Sequence, residues 1–89
     1  MLGSRMAPKA IERQASAVCV ELARVTGSRP MHWRTVDSVM ASAGVDDAAA
    51  NDAIAFAVGR DWLLTEGQPP HSICLTEGGR IMVAKLKRR

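Results

Sequence analysis

Two adjacent prolines near the end of the chain, Pro69 and Pro70, separate two short apolar runs, Trp62-Leu63-Leu64-Thr65 and His71-Ser72-Ile73-Cys74-Leu75. Proline has no N–H to give to a β ladder, so this pair belongs at a hairpin tip and not inside a strand. The pattern predicts two antiparallel strands joined by a turn over residues 66–70. Upstream of residue 60 the texture is different, with helical periodicity and many alanines. Helices followed by one hairpin is therefore the order that any fold of this chain must satisfy.

Pro8 suits the first turn of a helix, where its missing N–H is not needed. From there Ile11, Ala15, Val18, Leu22 and Val25 recur at spacings of four and three, one apolar stripe that Gly27 ends. Residues 31–34 read as a short extended segment before Thr35, a good N-cap. A second helix is predicted from Val36 to Ala43, with Val36, Val39, Met40 and Ala43 inward and Gly44 as terminator. Asp46 caps a third helix, about Asp47 to Gly59, whose Ala50, Ala53, Ile54, Ala57 and Val58 face inward and whose inner face Phe56 broadens. Thr76 caps a last helix, in which Ile81, Met82 and Leu86 are the expected apolar contacts. Gly78 and Gly79 weaken its first turn by about 1 kcal/mol each relative to alanine.

At 89 residues, with 47% hydrophobic and 24% charged residues, the chain has the balance of one globular domain and not of a disordered segment. The expected division is a flexible tail over residues 1–7, a folded domain over 8–86 and a basic tail over 87–89, with the natural start at Met1 or Met6 left open. No apolar run approaches the roughly 18 residues of a spanning helix, so no membrane association is expected. Two cysteines are too few for a disulfide framework, which points to a reducing cytoplasm.

Catalysis has little to stand on: there is no phosphate-cradling glycine loop, no nucleophile elbow and no tyrosine. His71 and Cys74, three apart on a strand, point to opposite faces, and no Cys-x-x-Cys or His-x-x-x-His pair exists. No enzyme activity, metal or cofactor is expected. Cys19 reads as a small core residue beside the first stripe, Trp62 as packing on the third helix, and Trp33 as closing the sheet edge against the second.

The order helix, short strand, helix, helix, strand, strand, helix resembles the winged helix superfamily over residues 9–86, an α+β fold. Two stretches carry the resemblance. Residues 53–64, the end of the third helix running into Trp62, look like a recognition helix followed by a bulky residue that starts the wing. Leu75-Thr76-Glu77-Gly78-Gly79-Arg80 is similar to the Leu-Thr-x-x-Gly-Arg that follows the wing in multiple-antibiotic-resistance-type and phenolic-acid-type bacterial regulators. The leucine ends the strand, the threonine caps the helix and the glycine permits close packing. The resemblance implies a DNA-binding transcription regulator, with the third helix in the major groove and the hairpin over the backbone.

On that reading Asn51 is the side chain able to pair bidentately with adenine. Thr35 and Ser38 at the start of the second helix, with His71 on the hairpin, are candidate contacts to the duplex. Arg60, Arg80, Lys85, Lys87, Arg88 and Arg89 are candidate phosphate contacts. Each also has a plainer reading: capping for Thr35, solvent exposure for Ser38 and Asn51, a solvated surface for the bases. A homodimer fits this reading, on paired half-sites, and equally a protein-contact reading, with the first or last helix as its contact.

The net charge of +3 hides an uneven distribution. Residues 1–30 and 62–89 each carry five bases and two acids, whereas residues 31–61 carry two bases and five acids. The start of the third helix holds Asp46, Asp47, Asn51 and Asp52, with no base until Arg60. This motivates an alternative, a winged helix used for protein contact, in which Asp37, Asp46, Asp47 and Asp52 meet a basic protein partner.

Overall fold

The computed structural model describes residues 8–87. The expected N-terminal tail, with Arg88 and Arg89, lies outside the described residues. Lys87, assigned above to a tail, is the last residue of a helix. The architecture is a small α+β domain of four helices and a three-stranded antiparallel sheet among the described residues.

Helix α1 (Pro8–Thr26) is the axis of the core. Its stripe is buried through Ala15, Val18, Cys19, Leu22 and Ala23. It packs against α2 (Val36–Ala43), α3 (Asp47–Gly59), α4 (Glu77–Lys87) and the sheet. At its end Thr26 donates its hydroxyl to the Leu22 carbonyl at 2.7 Å, and the chain turns through left-handed Gly27 and Ser28. The Ser28 N–H bonds the Ala23 carbonyl at 2.7 Å, satisfying one of the carbonyls a helix end leaves free.

Helices α2 and α3 follow the predicted boundaries because their caps form as the sequence specifies. Thr35 accepts from the Ser38 N–H, and Asp46 accepts from the Ala49 N–H at 3.0 Å. Between them Gly44, at φ +73, returns its N–H to the Met40 and Ala41 carbonyls. Ala49, Ala50, Ala53 and Ala57 bury one side of α3, and such short side chains let it approach α1 closely. Val58 departs from expectation: it is 41% exposed. One residue past Ala57 is a 100° rotation, which carries Val58 off the inner face.

The sheet order is β1 (Arg34–Thr35), β3 (Ser72–Leu75), β2 (Leu63–Glu66). Leu63 lies opposite Leu75 and Thr65 opposite Ile73 on the inner face, while Leu64 lies opposite Cys74 on the outer face. Trp62 and His71, expected inside the strands, each fall one residue short of them. Trp62 still packs on α3, its ring 5.8 Å from that of Phe56. The expected strand over 31–34 is displaced to Arg34–Thr35, because Met31 adopts φ +65 and gives its N–H to the Leu75 carbonyl at 2.8 Å. Trp33, expected in the core at the sheet edge, stands just ahead of edge strand β1 and is 43% exposed.

Thr76 ties α4 to the rest of the fold. Its hydroxyl accepts from the Gly79 N–H at 3.0 Å and donates to the Asp61 carbonyl at 2.5 Å. The buried contact of α4 is Val83, not the expected Ile81 and Leu86, which are both exposed; Met82 packs partly against the core. The direction of α4 is set by Thr76 and by the glycine at 79, and the face so presented centres on Val83.

Candidate functional site

The outward side of α3 and the hairpin tip enclose an open groove of about 580 Å³. Helix α3 contributes Asn51, Ile54, Ala55, Val58 and Gly59, and the hairpin contributes Thr65, Gln68, Pro69 and Pro70. No ionisable side chain lines it, and its walls are mostly hydrocarbon. The spacing 47, 51, 54/55, 58 is one helical stripe, so Asp47 lies a turn beyond Asn51 at the end of the groove. Asp52 flanks it on the next row. The groove volume falls in the range where side chains of a partner or a small ligand are accommodated.

Of the candidate DNA contacts the structure brings Thr35 and His71 together, since Thr35 pairs with Ser72 across the sheet and the Val36 N–H donates to the His71 carbonyl at 2.9 Å, and several candidates are engaged locally. Thr35 and Ser38 close on one another: their hydroxyls are 2.9 Å apart, and Ser38 also donates to the Thr35 carbonyl at 3.1 Å. Arg80 pairs with Glu77, and that bond holds the Glu77 carboxyl below its ordinary range. His71 folds back over the turn, with Nδ1 3.0 Å from the Ser72 hydroxyl. Gly67, at φ +102, lies so close that a Cβ there would overlap the His71 ring. Arg60 is exposed with its guanidinium 4.8 Å above the Phe56 ring and 6.0 Å from that of Trp62. Lys85 and Lys87 are exposed on α4, whereas Arg88 lies outside the described residues.

Asn51 is exposed at the head of the groove, with no basic side chain on the stripe it shares. Asp37, Asp46, Asp47 and Asp52 are all exposed, so α2 and α3 present an acidic border, Asp46 being partly engaged as a cap. This acidity is legible in the sequence, but the groove is not, because its second wall forms only when Pro69 and Pro70 fold back beside α3. The Arg80–Glu77 and Thr35–Ser38 pairs were visible as i, i+3 spacings.

Neither cysteine is placed for chemistry. Cys19 is fully buried and burial pushes its thiol up from the ordinary 9.0 to about 12. Cys74, also buried, is raised by the same cause, and its Sγ lies 3.9 Å from Met31 Sδ. Both stay neutral thiols at physiological pH, so iodoacetamide at pH 8 is expected to label neither until urea unfolds the chain. Because the unfolded Cys19 ionises first, its contribution is intact below about pH 9, and stability falls as pH rises from there toward 12. Urea melts across that range check the sign.

Among the described residues no group of three His, Cys, Asp or Glu side chains is placed to hold a metal ion, and no helix is long and apolar enough to cross a membrane. The chain matches no protein-family model, no curated protein and no solved structure.

Proposed function

We propose that the chain is a winged helix domain used for protein contact, which docks a basic, partly apolar segment of a partner in the groove between α3 and the hairpin. The observation that carries this reading is the chemistry of the outward face of α3. It presents Asn51, Ala55, Val58 and Gly59, bordered by Asp47 and Asp52, with no base among them. Protein interfaces are built from a desolvated apolar centre and a polar rim, which this face supplies. Duplex binding depends on neutralising phosphates with Lys and Arg, and carboxylates at the same place oppose it. Two buried, unpaired thiols suit a reducing cytoplasm.

A second reading is favoured by Arg60 and the α4 lysines. Arg60 stands exposed at the end of α3, and Lys85 and Lys87 add charge on α4. These groups support backbone contact with double-stranded DNA, in which only Asn51 would touch a base. Fluorescence anisotropy of a labelled duplex pool separates the two readings. At low salt, weak binding is expected that disappears when Lys85, Lys87, Arg88 and Arg89 are changed to alanine. Binding that survives those changes with a steep salt slope would put α3 on DNA and overturn the protein-contact reading.

A further inference from the structure

The chain carries a surface that complements its own groove. On α4 the side opposite Val83 holds Ile81, which is 43% exposed, and exposed Lys85 one turn further on. Glu77 and Arg80 satisfy each other, so the unbalanced charge of the described part of α4 is positive. The α3 groove offers the converse, an apolar floor at Ile54 and Val58 with Asp47 and Asp52 at its border.

We infer that α4 of one copy docks in the α3–hairpin groove of a second copy, head to tail. The inference rests on the protein-contact reading and names its partner. Ile81 enters the groove against Val58 and Ile54, and Lys85 reaches toward Asp47 and Asp52. Seven residues separate Ile54 from Asp47, about 10 Å along the helix, a span that a lysine one turn from Ile81 covers. The two surfaces differ, so the contact is heterologous. Each copy keeps one free groove and one free α4, and association continues beyond a dimer as concentration rises. One helix face in one groove buries less than the roughly 800 Å² per partner of a standard interface, so the contact is weak. The charged border makes it weaker still at high salt.

Sedimentation velocity on the full chain from about 10 μM to 1 mM tests it, a range that brackets weak association. The wild type is expected to sediment as growing oligomers at low salt and as smaller ones at high salt. Val58→Asp removes the acceptor and Ile81→Asp the donor, and each alone is expected to be monomeric. Mixed in equal amounts, the two leave one intact groove facing one intact α4, and a 1:1 heterodimer that grows no further is expected. Both positions are about two-fifths exposed, and circular dichroism is the check that the variants fold. The pair Asp47→Lys and Lys85→Glu gives the same test through charge: each alone weakens association, and their mixture restores it through the unaltered groove of one and the unaltered α4 of the other. Wild-type association that neither substitution affects, or a mixture that stays monomeric, overturns the inference. A fluorescein-labelled alanine-rich helical peptide bearing isoleucine and lysine at i, i+4 separates it from the reading beneath it. A monomeric wild type that binds this peptide, with at least about tenfold loss in Val58→Asp, overturns self-docking and leaves the docking groove standing. A monomeric wild type that ignores the peptide overturns both.

Discussion

Gly79→Ala is expected to destabilise the domain by about 2–4 kcal/mol, although the substitution sits in a helix where alanine is the better helix former. A Cβ at this position would overlap the Trp62 carbonyl oxygen and come within 2.8 Å of Leu75 Cδ1. The carbonyl cannot give way freely, because it accepts the Thr76 N–H at 3.0 Å. Relief requires α4 to lift from the hairpin, which also strains the Thr76 hydroxyl bond to Asp61. The helix-propensity gain of about 1 kcal/mol offsets only part of this. Gly59→Ala is the control: nothing lies within 4 Å of its added Cβ, and it is expected to stabilise by about 0.5–1 kcal/mol. Urea melts of both variants, read by circular dichroism, give the opposite signs directly.

Leu22→Ala is expected to cost about 2–5 kcal/mol, the range for a buried leucine whose cavity the surroundings cannot refill. Leu22 is completely buried on α1, the helix against which α2, α3, α4 and β3 all pack. A domain of 89 residues has a stability of about 4–13 kcal/mol, so this one change brings the chain near its unfolding threshold at physiological temperature. Leu86→Ala, at a position 37% exposed, is expected to shift stability by less than about 1 kcal/mol. Equal losses at the two positions would mean that α1 is not the axis of the core.

The elements most legible in the sequence were those fixed by local chemistry. Thr35, Gly44 and Asp46 bound α2 and α3 because capping is decided within four residues, and Pro69-Pro70 marked the hairpin tip because proline cannot join a ladder. The close-packing glycine of the Leu75 to Arg80 stretch is likewise accounted for, by the Trp62 carbonyl above Gly79. The errors arose where direction depends on partners far away in sequence. Val58 continues an apolar stripe and yet faces out, because α1 meets α3 on a side centred on Ala53 and Ala57. Ile81 and Leu86 were expected inside, but the attachment of Thr76 to Asp61 turns Val83 inward instead. The strand expected over 31–34 shifted to Arg34–Thr35 because the left-handed turn at Met31 ends in a bond to Leu75, which no local pattern reveals. The groove follows the same logic: Ile54 and Val58 on its α3 side read as part of one inner face, and its other wall depends on how Pro69 and Pro70 fold back.

Whether the α3–hairpin face receives protein rather than phosphate is tested residue by residue by backbone amide shifts in a heteronuclear NMR titration. The labelled full chain would be titrated separately with the helical isoleucine–lysine peptide and with a mixed-sequence duplex at low salt. The peptide is expected to move the amides of Asn51, Ala55, Val58, Gly59, Thr65 and Gln68, and the duplex only those around Lys85 and Lys87. Duplex-induced shifts along Asn51, Ala55 and Gly59, with none from the peptide, would contradict protein docking there and make this a DNA-reading helix.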